Sequence, residues 1–88
     1  MDSRINSWED YWTYYSLLID NIKVSNQNEI ADNLKIAQTY TTGLTDGWYD
    51  YLETFKDIIK NNKNSLSAEQ VEISAILLKY LKTALDNH

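Results

Sequence analysis

Apolar side chains recur along this chain at intervals of three and four residues, the spacing that puts them on one face of a helix. Trp8, Tyr11, Trp12, Tyr15, Leu18, Ile19 and Ile22 predict a first helix over about residues 8–23, opened by a capping-box-like pair, Ser7 with Asp10 three residues on. Ile30, Leu34, Ala37, Thr41 and Leu44 predict a second over about 27–42, with Asn26 preceding Glu29 by three at its start. Trp48, Tyr51, Leu52, Phe55, Ile58 and Ile59 predict a third over about 47–61, closing in the polar run KNNKNS. The sharpest start signal comes last. In LSAEQV, Ser67 and Gln70 make a capping box and Leu66 and Val71 occupy the hydrophobic-staple positions, so a fourth helix begins at Ala68 and runs to about Asp86. Val71, Ile73, Ala75, Ile76, Leu77, Leu78, Leu81 and Leu85 make it apolar around much of its circumference, and it is expected to be the most buried.

Charge order agrees with these helices. Acids gather near the starts (Glu9 and Asp10, Glu29 and Asp32, Asp46 and Asp50, Glu69 and Glu72) and lysines near the ends (Lys23, Lys35, Lys56 and Lys60, Lys79 and Lys82), as the helix dipole favours. Asp20 and Asp86 are exceptions.

The join between the second and third helices is the ambiguous one. The four-three alternation continues through TTGLTDG, as a single bent helix of about 35 residues would have it. Yet Thr39, Thr41, Thr42, Gly43, Thr45, Asp46 and Gly47 crowd that stretch, and at about 0.5–1 kcal/mol each relative to Ala they disfavour helix by several kcal/mol. A turn is expected there. The predicted fold is therefore all-α, an up-and-down bundle of four helices; the alternative has three, with the middle pair continuous through a kink at Gly43 to Gly47.

At 88 residues the chain has room for a single domain over 1–88, and its apolar fraction of 43% with 24% charged residues is globular composition. The absence of cysteine leaves helix packing to stabilise the core without disulfides or thiolate metal sites. The longest apolar runs, Leu17 to Ile19 and Ile76 to Leu78, are far short of the roughly 20 residues that span a bilayer, so no membrane segment is expected. The start, MDSRINSWEDYW, carries acids where a signal peptide needs an uncharged apolar run, and reads as a cytoplasmic protein's start. A net charge of −5 repels phosphate backbones, so nucleic acid is not an expected partner.

Groups for covalent or proton chemistry are scarce. The single histidine is the terminal His88 and there is no cysteine, which leaves no Ser-His or Cys-His pair. Glu9, Glu29, Glu53, Glu69 and Glu72 lack the Glu-x-x-His partners of a di-metal bundle and mostly sit in first helical turns. GLTDG lacks the lysine and further glycine of a phosphate loop. No catalytic, cofactor-binding or metal-binding residue is expected, and the chain does not read as an enzyme.

Surface is what remains. Asp46, Asp50, Glu53 and Asp57 follow one another at steps of four, three and four on the third helix, opposite Trp48, Phe55 and Ile59, with Tyr49 at their border. This acidic ridge is either a solvated face or a surface that steers onto a basic partner. Tyr14 and Leu17 on the first helix, and Ile36 and Tyr40 on the second, lie off the core stripes and serve either a second core face or a contact patch. The leading expectation is a small acidic cytoplasmic module that binds another protein, such as an inhibitor or immunity-type neutraliser of a basic partner, through Asp46, Tyr49, Asp50, Glu53, Asp57, Tyr14 and Leu17. A homodimer sealed by Leu17, Ile36 and Tyr40 is the alternative. A small-ligand protein, the third class, would need a polar-lined cavity walled by the Tyr and Trp rings.

Overall fold

The computed structural model describes residues 5–42 and 45–86, with no description of the Thr45 side chain. Among these residues the chain forms helices and turns only: α1 (Trp8–Val24), α2 (Asn28–Gln38), α3 (Thr45–Asn61) and α4 (Ala68–Asp86), with 3-10 turns at Thr39–Thr41 and Lys63–Ser65. Among the described residues no helix is long and apolar enough to cross a membrane. Gly43, Leu44 and His88, all invoked in the sequence reading, lie outside the described residues, as does the start of the chain over 1–4.

Capping explains where the helices begin. At α1 the Asp10 amide donates to Ser7 Oγ at 3.2 Å, and the Asp10 carboxylate accepts from the amide of Asn6, the residue before the cap, at 3.1 Å. At α4 both halves of the capping box form: Gln70 N to Ser67 Oγ at 3.1 Å and Ser67 N to Gln70 Oε1 at 2.9 Å. The second helix departs from expectation. Asn26 is no cap for it; it ends α1 instead, holding φ at 65°. Its amide donates to the Lys23 carbonyl at 3.0 Å and the Gln27 amide to the Ile22 carbonyl at 3.2 Å, the paired bonds of a Schellman motif. Asparagine suits this position because it tolerates left-handed backbone better than other residues bearing a Cβ.

The break between α2 and α3 has a local cause. Threonine hydroxyls donate to carbonyls three residues back: Thr39 to Ile36 at 2.6 Å, Thr41 to Gln38 at 2.8 Å and Thr42 to Thr39 at 2.8 Å. They compete for the carbonyls that would continue the α-helix, which tightens into a 3-10 turn after Gln38. As α3 starts, Gly47 comes so close to this turn that a Cβ there would collide with the Tyr40 carbonyl oxygen. The helices are thus four, and α2 stops about one turn earlier than periodicity alone suggests.

Neighbours in sequence pack as neighbours in space, α1 on α2, α2 on α3 and α3 on α4, and α4 returns to α1, leaving α1 and α3 diagonal across the bundle. The core has two zones. Towards the start of α1, Tyr11, Tyr15, Tyr51 and Phe55 are fully buried, with ring centroids 5.3–6.2 Å apart in stacked and edge-on pairs. Leu18, Ile22, Leu34, Leu77 and Leu81, also fully buried, supply the aliphatic part of the core.

Burial at the tyrosines demands hydrogen-bond partners, and they are supplied across the bundle: the Tyr11 and Tyr51 hydroxyls meet at 2.7 Å, and the Tyr15 hydroxyl donates to the Leu34 carbonyl. Gln70, also buried, does more than cap. Its amide nitrogen donates to Asn21 Oδ1 at 3.0 Å and Ser25 Oγ at 3.2 Å, fastening the start of α4 to the end of α1. The fourth helix is less buried than its composition suggests, because Ala75 is exposed and Val71, Ile76 and Leu78 are half-buried. Trp8, assigned by periodicity to the core stripe, is likewise largely at the surface.

Candidate protein-binding surface

The acidic ridge lies wholly in solvent. Asp46, Asp50, Glu53 and Asp57 are all exposed, on the side of α3 away from buried Tyr51, Phe55 and Ile59. Its sole ion pair among the described residues joins Glu53 to Lys56 at 3.9 Å, between two well-exposed side chains, so it tethers the ridge weakly. Tyr49, 44% exposed, borders the ridge on the α4 side, where its hydroxyl donates at 3.4 Å to the carbonyl of Leu85. It therefore fastens the end of α4 as well as facing outward.

On its other border α3 meets α2 and the turn after it. The close approach of the Tyr40 carbonyl to Gly47 marks the edge of α3 that faces α2. Asp50, three residues beyond Gly47, and Asp57, seven beyond Asp50, fall on the same side of α3. Across the seam, Ile36 lies on α2 and Tyr40 in the 3-10 turn that follows it, whereas Lys35 and Gln38 line the groove with α1. Ile36 is 54% exposed and Tyr40 41%, so neither belongs to a second core face. Ile36, on α2, and Tyr40, in the turn after it, are thus exposed on elements that pack against α3, the helix that carries the ridge.

Tyr14 and Leu17 are not part of it. Both lie on α1, diagonal to α3. Tyr14 is half-buried against Ile5, Ile73, Ile76 and Leu77, so it belongs to the packing between these helices. Leu17 stays 51% exposed on the outer surface of α1. The structure therefore brings Asp46, Tyr49, Asp50, Glu53 and Asp57 together on α3, sets Ile36 and Tyr40 on the elements that pack beside it, and leaves Tyr14 and Leu17 on α1. Helical spacing alone could place Ile36 and Tyr40 off the core stripe; setting their elements beside α3 required the order in which the helices pack.

The buried hydroxyls are chemically quiet. Burial pushes the phenols of Tyr11, Tyr15 and Tyr51 above the usual tyrosine range; the Tyr51 hydroxyl opposes part of that rise at Tyr11 and Tyr15, whereas the neighbouring tyrosines add to it at Tyr51. All three keep their protons near neutrality, which removes them as bases. Among the described residues no group of three or more Asp, Glu, His or Cys side chains converges to hold a metal ion. No family model, curated protein or solved structure matches the chain, so a functional reading starts from this surface.

Proposed function

We propose that this protein is a binding module whose working surface is the α2–α3 face, and that its partner is a protein presenting basic residues around an apolar site. One observation carries the reading: Ile36 and Tyr40 stand exposed on α2 and the turn after it, which pack against α3, and the outer face of α3 is the carboxylate ridge. Apolar groups of this kind supply affinity when desolvated, while surrounding carboxylates speed encounter and set orientation. An inhibitor or immunity-type neutraliser that covers a basic site is one form of this function, supported by the net charge of −5.

Side-by-side capture from native lysate tests the proposal. Wild type should retain a protein that Ile36→Glu and the Asp50→Lys, Asp57→Lys double variant both lose, with Leu17→Glu as a control that keeps it. Retention should weaken as salt rises. A partner lost to Leu17→Glu and kept by Ile36→Glu would place the interface on α1 and defeat the proposal.

A further inference from the structure

A second feature of the surface lies where α1, the end of α2, the turn after it and the start of α3 meet. Trp12, Lys35, Gln38 and Trp48, with Thr39, Thr41 and Thr42, wall an open groove of about 500 Å³. A neighbouring lobe of about 360 Å³ shares Lys35 and Gln38 with it and extends to Ser16, Ile19 and Asp20. Each lies within the range of roughly 300–1,000 Å³ typical of small-molecule sites. The α1 side of the two lobes runs from Trp12 to Asp20, about 12 Å at the rise of an α-helix.

The polar groups here have a definite sense. The three threonine hydroxyls spend their protons on backbone carbonyls of their own turn, so towards the groove each offers lone pairs. Lys35 makes no ion pair among the described residues and contributes donors, and the Gln38 amide offers both donor and acceptor. At one end stand indoles: Trp48 lies 6.1 Å from Trp12 and 5.0 Å from Trp8, centroid to centroid. A ligand matching this lining has many hydroxyls, able to give as well as take hydrogen bonds, apolar C–H surface to lie against rings, and an elongated shape. Peptides are a poorer match. The groove has no strand edge to extend and too few apolar pockets for the spaced anchors of a docked helix.

We infer that the α1–α2 groove is a binding site for a short oligosaccharide, with the Trp12 and Trp48 indoles against the sugar rings and Lys35, Gln38 and the three threonines meeting the hydroxyls.

All three tryptophans sit at this end of the bundle, so their emission reports occupancy directly. Maltotriose, cellotriose and chitotriose are titrated separately into the full chain, with amide resonances followed in parallel. At least one sugar should shift tryptophan emission saturably at millimolar concentration or below, moving the amides of Ser16, Asp20, Gln38 and Thr42 but not those of Glu69 or Glu72. A Lys35→Ala, Gln38→Ala double variant with an unchanged melting temperature should weaken binding by about tenfold or more, the loss of about 1.4 kcal/mol. Ile36→Glu, on the other face, should bind as wild type does. Saturation by none of the three sugars, resonance changes elsewhere, undiminished affinity in the double variant, or saturable binding of an extended peptide in place of the sugars would each overturn the assignment. Because the proposed protein interface is read by Ile36→Glu, the two readings fail separately.

Discussion

Tyr11, Tyr15 and Tyr51 carry hydroxyls into a core of rings and aliphatic chains, where a phenolate would be stranded. Their pKa values rise on folding, so their contribution is intact below the ordinary tyrosine value of about 10 and is lost as pH climbs above it. Each should remove about 1.4 kcal/mol of stability per pH unit beyond that point. Phenolate absorbance is expected to show three of the seven tyrosines ionising only with the loss of helical circular dichroism. Early ionisation of all seven with helices intact would contradict their burial. Gln70 makes a second test at this scale: Gln70→Ala forfeits both the cap and the bonds to Asn21 and Ser25, and should cost about 2 kcal/mol in denaturant unfolding. Periodicity makes the burial of these tyrosines legible in the sequence. The reach of Gln70 to α1 is not, because the local motif Ser67–Gln70 accounts for only one end of its side chain.

At the scale of the element, caps and propensity carry most of the information. Ser7 and Ser67 mark their helices correctly because a capping box is a contact within four residues. Asn26 misleads because asparagine serves both a helix start and a left-handed helix end, and only its φ of 65° distinguishes them. Asn26→Val should therefore cost about 1–2 kcal/mol, whereas Asn26→Gly should be neutral or stabilising; equal effects would show that the left-handed backbone imposes no constraint. The turn after α2 follows from the threonines, but its tightness depends on Gly47. In an open helix Gly→Ala gains about 1 kcal/mol. Here the Tyr40 carbonyl occupies the space a methyl group needs, so Gly47→Ala should lower the melting temperature instead of raising it.

For the whole molecule, the decisive relation is which helix lies beside which. An all-α bundle was legible from four amphipathic stripes, and the acidic ridge from its spacing, because both are properties of single helices. The packing of the elements that carry Ile36 and Tyr40 against α3, and the separation of Leu17 from it, follow only from the circuit α1–α2–α3–α4, which puts α1 diagonal to α3. Leu17, Ile36 and Tyr40 are consequently divided among three elements, α1, α2 and the turn after α2. A division of this kind disfavours the homodimer that would need all three in one patch, and the melting temperature should not depend on protein concentration.

Site-specific photo-crosslinking tests the α2–α3 face most directly. A crosslinking residue placed in turn at Ile36, Asp50 and Leu17 reports which side of the bundle touches the partner in its native lysate. Adducts to the same basic protein from positions 36 and 50, absent from position 17, are the expected result; adducts from position 17 alone would contradict the account.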